Sequence, residues 1–126
     1  MPVLTEGQYR GEFIVSEANG FRSRDLITLA SNGSTAITYK AGHVLALVTA
    51  TSKYVEYDNA GTDGTEAAKA ILWDNVTVPA TGDLKAVAIV RDAEVNKAEL
   101  VFFTGAVDAD KNAAVVDLAA VGIIAR

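Results

Sequence analysis

Apolar residues in this chain fall into short runs, broken about every 8–12 residues by turn formers, a spacing that predicts strands rather than long helices. Leu26-Ile27-Thr28-Leu29-Ala30 predicts a first clear strand, closed by the turn Ser31-Asn32-Gly33-Ser34. Ala36-Ile37-Thr38-Tyr39-Lys40 predicts a second, and Ala41-Gly42 turns the chain into residues 44–50. That third run, Val-Leu-Ala-Leu-Val-Thr-Ala, is almost wholly apolar and predicts a strand buried on both faces. Lys53-Tyr54-Val55-Glu56-Tyr57 alternates as an exposed strand does, and residues 58–64 read as a loop. Residues 65–73 point two ways: Glu66-Ala67-Ala68-Lys69-Ala70 favours helix by propensity, whereas Ile71-Leu72-Trp73 favours strand. Val76-Thr77-Val78-Pro79 is extended, residues 84–90 form a strand, residues 93–96 read as a helical turn, and Leu100-Val101-Phe102-Phe103 reads as another apolar strand. Residues 108–121 predict the one long helix. Asp108 or Asp110 caps its start, Val115, Leu118 and Val121 share one face, and Gly122 stops it before a short terminal strand at Ile123-Ile124. The fold class is mainly β (α+β): a small barrel- or sandwich-like domain with one C-terminal helix, and no internal repeat.

Residues 1–23 depart from this pattern. Tyr9, Phe13 and Ile14 stand among polar and small residues with neither helical nor alternating spacing, Gly7, Gly11 and Gly20 disfavour helix, and Asn19-Gly20 marks a turn. Two readings fit: an ordinary first strand with a loose terminus, or an extended arm that adds to the sheet of another protein.

Composition narrows the function. At 126 residues the chain fits one domain, and it is 50% hydrophobic but only 7% aromatic, with many Ala and Val. The expected core is therefore thin, and self-association would bury further apolar surface. The absence of cysteine excludes disulfides, thiolate catalysis and Cys-based zinc sites. The first residues lack a basic stretch followed by an apolar run, so no signal peptide is expected. No 18-residue apolar stretch occurs, so a soluble, intracellular protein without membrane contact is expected. A net charge of −5 repels phosphate and argues against nucleic-acid binding. Arg10, Arg22 and Arg24 lie near the start while Glu56, Asp58, Asp63 and Glu66 gather mid-chain, which suits an N-terminal segment docking on an acidic partner.

Catalytic constellations are sparse. The single histidine, His43, heads an apolar strand with no nucleophile elbow nearby, and it reads as a rim or partly buried side chain. Asp58, Asp63 and Glu66 form the densest carboxylate cluster, yet they lack the acidic spacing of a calcium loop. There is no glycine-rich phosphate loop, and Asn32-Gly33-Ser34 and Asn75-Val76-Thr77 match a glycosylation sequon but read as turns. Trp73 reads as the largest core residue, the alternative being a surface patch with Tyr54 and Tyr57. A small hydrolase or carbohydrate-binding module built on the 58–66 loop or on that patch is the competing function, recognisable by a deep pocket with converging polar groups. A tail or fibre component assembling through the same arm is a third.

Four segments, in order, carry a resemblance. They are Ser16-Glu17-Ala18-Asn19-Gly20-Phe21-Arg22-Ser23-Arg24-Asp25; Ala41-Gly42-His43-Val44-Leu45; Asp63-Gly64-Thr65-Glu66 with Ala70-Ile71-Leu72; and Arg91-Asp92-Ala93-Glu94-Val95-Asn96 with Leu100. This set resembles the phage head decoration proteins, the lambda-type included, from about residue 9 to the C-terminus. Ala46 departs from the pattern, which expects Gly there. The resemblance implies strand over helix around residues 68–73. It implies no catalysis and no cofactor, and a protein made in the host bacterial cytoplasm that becomes part of the virion. There it would cement the outer surface of an expanded head as a homotrimer, with the major capsid protein as partner. Residues 1–23 are then expected to be the capsid-binding arm, with Tyr9, Arg10, Phe13, Ile14, Val15, Asn19, Arg22 and Arg24 as its contacts, and residues 24–126 the decoration body.

Overall fold

A computed structural model describes Gly7 and residues 9–126. Its elements in chain order are strands β1 (Ile14–Glu17), β2 (Arg24–Leu29), β3 (Ile37–Tyr39), β4 (Val44–Val48), β5 (Lys53–Glu56), β6 (Ala68–Leu72), β7 (Val76–Val78), β8 (Leu84–Ile89) and β9 (Ala93–Val95), helix α1 (Asp108–Ala120), and strand β10 (Ile123–Ala125). Five strands close into a barrel in the order β2-β5-β4-β6-β8. A three-stranded sheet, β1-β9-β10, lies beside it, and the pair β3-β7 forms a third, smaller sheet.

The strand-like character of β4 has the expected cause. Val44, Leu45 and Ala46 are all fully buried, and they point alternately into two separate cores. Val44 and Ala46 join a core with Phe13, Ile71, Ile89, Leu118 and Ile123, under α1 and the β1-β9-β10 sheet. Leu45 joins Ile27, Leu29, Leu72 and Ala88, with Tyr39 and Val78. β6 serves both cores as well, Ile71 in the first and Leu72 in the second. A register shift between Leu45 and Ala46 opposite Ala70 and Ala68 lets Ala68 face the first core and Ala70 the second.

Residues 68–72 are a strand, as the resemblance implies, although Ala68-Lys69-Ala70 favours helix by propensity. Pairing with β4 on one side and β8 on the other satisfies their backbone, and alanines at 68 and 70 fit a narrow barrel wall. Two local expectations are corrected. Ala93–Val95, expected as a helical turn, is the central strand of the β1-β9-β10 sheet, and the helical turn comes just after it as a 3-10 turn at Lys97–Glu99. Leu100-Val101-Phe102-Phe103, expected as a strand, contributes only an isolated bridge from Val101 to His43. Those residues are apolar because Phe102 and Phe103 pack against the first core, not because they form a ladder.

Helix α1 begins at Asp108, and the Val107 N–H donates to the Asp110 carboxylate at 3.1 Å, so Asp110 caps from inside the first turn. Ala114 and Leu118 are its fully buried residues, with Val115 and Val121 at the flanks, and Gly122 follows the helix as expected. Among the described residues no helix is long and apolar enough to cross a membrane.

Candidate functional site: the N-terminal surface

Of the segment expected to be an arm, residues 13–23 are built into the body. Phe13 is 1% exposed in the first core, and its carbonyl accepts from the Asn96 N–H at 2.8 Å. A buried phenylalanine in this position anchors β1, so it is a core residue and not an exposed contact. Ile14 lies half-buried opposite Val95, and Ser16 and Glu17 pair with Glu94 and Ala93. Val15 points outward, 58% exposed. The outer edge of β1 is unpaired among the described residues, because β9 holds the middle of its sheet.

Ahead of Phe13, residues 9–11 run beside Trp73. The Gly11 N–H donates to the Trp73 carbonyl at 2.8 Å, and a Cβ at position 11 would stand 2.9 Å from the indole nitrogen, so only glycine passes this close. Tyr9 and Arg10 are exposed; the Arg10 guanidinium lies 5.7 Å from the Trp73 ring centre and 3.6 Å from the Asp74 carboxylate. Residues 1–6 and Gln8 of the expected arm lie outside the described residues.

Arg24 lies nearer the same indole, 4.7 Å from its ring centre, and binds the Glu17 carboxylate with two hydrogen bonds of 3.0 and 2.6 Å. That pairing raises the Arg24 pKa above its already high ordinary value. Trp73 is therefore half-buried at the barrel surface and not the central core residue expected of it. With Phe21, Leu26 and Val87 it lines an open, mainly apolar groove of about 270 Å3, rimmed by Arg24 and Asp25. Phe21 is 86% exposed and Leu26 61%.

The turn at Asn19-Gly20, where Asn19 is exposed, returns the chain to β2 through a lock that sequence reading did not find. Ser23, fully buried, donates its hydroxyl to the Asp92 carbonyl at 2.8 Å and accepts from the Ala18 N–H at 2.9 Å. The Ser23 carbonyl accepts from the Val90 N–H. Arg22 pairs with Asp92 at 2.8 Å, and Arg91 reaches the Arg22 carbonyl at 2.7 Å and Asp25 at 3.3 Å. Two of the segments that carry the resemblance, 16–25 and 91–96, thus touch each other. Arg22 and Arg24 are engaged within the chain, Arg22 with most of its side chain still in solvent.

The competing site is not assembled. Tyr57 is fully buried, and its hydroxyl donates to the Asp110 carbonyl at 3.0 Å, so no Tyr54/Tyr57 surface patch forms. Burial, reinforced by Asp117 and Asp110, pushes the Tyr57 phenol up to about 12. The 58–66 loop closes on itself: Asp63 accepts from the Thr65 hydroxyl at 2.7 Å and Glu66 from the Gly64 N–H at 2.9 Å. The bond from Thr65 holds the Asp63 carboxyl below its usual range. Gly64 has φ +107, and a Cβ there would strike the Leu47 carbonyl. The Asp-Gly-Thr segment is therefore a tight structural turn. No group of acidic, histidine or cysteine residues placed to hold a metal ion occurs among the described residues. His43 is also better buried than expected, 6% exposed, with Nε2 2.6 Å from the Glu56 carboxylate.

What remains is a surface of exposed apolar and arginine side chains around residues 9–11 and Trp73. Such a surface fits a docking protein. Among curated proteins, none matches the chain. A family model, that of the bacteriophage lambda head decoration protein D, matches residues 3–123, nearly the whole chain, and the protein belongs to that family.

Proposed function

We propose that this protein cements the outside of an expanded phage head, binding the major capsid protein as a homotrimer without catalysis or cofactor. Membership of the head decoration family is the observation that carries this reading. The geometry supports a shorter arm than the sequence suggests: the stretch ahead of Phe13, with Tyr9 and Arg10 exposed beside Trp73. The unpaired edge of β1, with Val15 outward, supports strand addition as a further contact. Three modest arms on one trimer act together through effective concentration, so the assembly clamps where one arm alone would exchange.

Deleting residues 1–10 tests the arm. The deletion leaves the Gly11 bond to Trp73 and the Phe13 anchor in place, so a folded body is expected, with its circular dichroism spectrum retained. Co-sedimentation with expanded empty heads should fall at least about a hundredfold in affinity, by the arithmetic of losing three tethered arms and keeping only the β1 edge. Normal decoration by the truncated protein would refute the arm. Deleting residues 1–23 is the wrong experiment, because it also removes Phe13, β1 and Ser23 from the body.

A further inference from the structure

Asn19-Gly20, Asn32-Gly33 and Asp63-Gly64 each place a glycine nitrogen one ring closure away from a side-chain carbonyl carbon. No Cβ crowds that nitrogen, and the two reacting atoms are held in one short stretch of chain. Closure needs both partners free. The nitrogen must give up its proton, and the side chain must turn its Cγ towards it. By local sequence the two Asn-Gly pairs are equals; their hydrogen bonds separate them.

Asp63-Gly64 is held at both partners. The Gly64 N–H donates to the Glu66 carboxylate at 2.9 Å, and Asp63 Oδ1 accepts from the Thr65 hydroxyl at 2.7 Å. Asn32 is held at its side chain. Its Oδ1 accepts from the Ser34 and Thr35 N–H groups, both at 2.9 Å, and its Nδ2 donates to the Thr35 hydroxyl at 3.1 Å. Expelling Nδ2 forfeits the last bond, and making Cγ tetrahedral pulls Oδ1 out of line with its two donors. Asn19 differs from both. Its side chain is exposed, and among the described residues neither it nor the Gly20 N–H makes a hydrogen bond. Gly20 has φ +68, and a Cβ there would meet nothing within 4 Å, so the space around the nitrogen is open. The turn is pinned only at its ends. The Ala18 N–H donates to the Ser23 hydroxyl at 2.9 Å, and the Phe21 carbonyl accepts from the Arg24 N–H at 3.2 Å. The tip can close a ring without pulling on the body.

We propose that Asn19 is a self-modifying site, deamidating through a cyclic imide formed with the Gly20 nitrogen. Solvent hydroxide takes the Gly20 N–H proton, and the nitrogen lone pair forms a bond to the Asn19 Cγ. The Cγ–Nδ2 bond breaks, and Nδ2 takes a proton from water and leaves as ammonia. Water then opens the imide. Breaking the new N–Cγ bond restores the ordinary backbone with an aspartate side chain at position 19. Breaking the bond from the Gly20 nitrogen to the Asn19 main-chain carbonyl carbon leaves an isoaspartate, whose backbone runs through Cγ. One water is consumed, one ammonia is released, and nothing is oxidised or reduced. Either product adds a carboxylate two positions from the exposed Phe21 of the groove, next to a turn already joined to Asp92 through Arg22.

The full-length protein, held in mildly alkaline buffer at physiological temperature, then digested and followed by liquid chromatography and mass spectrometry, tests this. The peptide containing residue 19 should gain one mass unit and separate into two species, the isoaspartate form being the one that protein isoaspartate methyltransferase methylates. Residue 32 should react at least about tenfold more slowly, since it must give up hydrogen bonds to reach the same ring. In urea that unfolds the chain those bonds are gone, and the two rates should converge. Asn19→Gln, at an exposed and unbonded position, should abolish the modification there and leave the rate at residue 32 unchanged. Equal rates at 19 and 32 in the folded protein, a gap that persists in urea, or aspartate at position 19 without isoaspartate would each overturn the proposal. The last would mean direct hydrolysis of the side-chain amide. The folded and unfolded rates of the unaltered protein decide the matter without the variant.

Discussion

Ser23 is the smallest side chain that could join the 16–25 turn to β9, and its hydroxyl makes two of that joint's bonds from a fully buried position. Replacing it with alanine leaves the Asp92 carbonyl short of a strong donor, although the Ala18 N–H still approaches it at 3.2 Å. Ser23→Ala should therefore cost about 1–3 kcal/mol of stability, measured by urea unfolding. A change within about 0.5 kcal/mol would mean that the lock is held by the arginines alone. This contact shows what residue-level reading of a sequence misses. Ser23 and Asp92 are 69 positions apart, and no local signal distinguishes a buried serine from a turn serine. The same holds for the Glu56 partner of His43, which belongs to a different strand. The resemblance did single out both segments of the lock, but it could not say that they touch. Arg22 and Arg24, expected to face a partner, are instead drawn onto Asp92 and Glu17.

At the scale of elements, strands bounded by strong turns were legible. β2, β3, β4, β5, β7, β8 and β10 fall on apolar runs with glycine, asparagine or proline close to one end or the other, and α1 falls where its spacing and its caps agree. Failures came where tertiary pairing overrides local preference. Ala93-Glu94-Val95 has too few residues for its alternation to register, yet it is buried between β1 and β10. From sequence Phe13 reads as one anchor of an arm because the residues around it are polar; its burial depends on a core built from β4, β6, β8 and α1, all far along the chain. That placement makes a sharp comparison possible. Phe13→Ala should destabilise the body by about 3–5 kcal/mol, the usual cost of emptying a buried aromatic site. Val15→Ala, two residues on but outward-facing, should stay within about 0.5 kcal/mol. If both substitutions proved neutral in thermal unfolding, β1 would be a peripheral strap and the body would begin at β2.

On the scale of the whole molecule, the two cores are not separate folding units, because they share their strands. Val44 and Ala46 support one core while Leu45, between them, supports the other, and Ile71 and Leu72 divide in the same way. Losing either core strips one face of β4 and β6, and those strands cannot remain in the barrel with half their burial gone. The helix and the β1-β9-β10 sheet are thereby tied to the barrel. Trp73, packed at the edge of the first core and lining the barrel-side groove, reports on both. Unfolding should therefore be a single transition, with Trp73 fluorescence and far-ultraviolet circular dichroism coinciding across a urea titration at fixed protein concentration. Leu118→Ala in the first core and Leu45→Ala in the second should each shift both probes together, by about 2–5 kcal/mol. If Leu118→Ala split the unfolding into two transitions, with helical circular dichroism lost in the first, α1 and its sheet would be melting off an intact barrel. Sharing of β4 and β6 would then be too weak to couple the cores. Coincidence in both variants would instead make the whole body one rigid mount, so that the short segment ahead of Phe13 could be pulled on without loosening the barrel behind it.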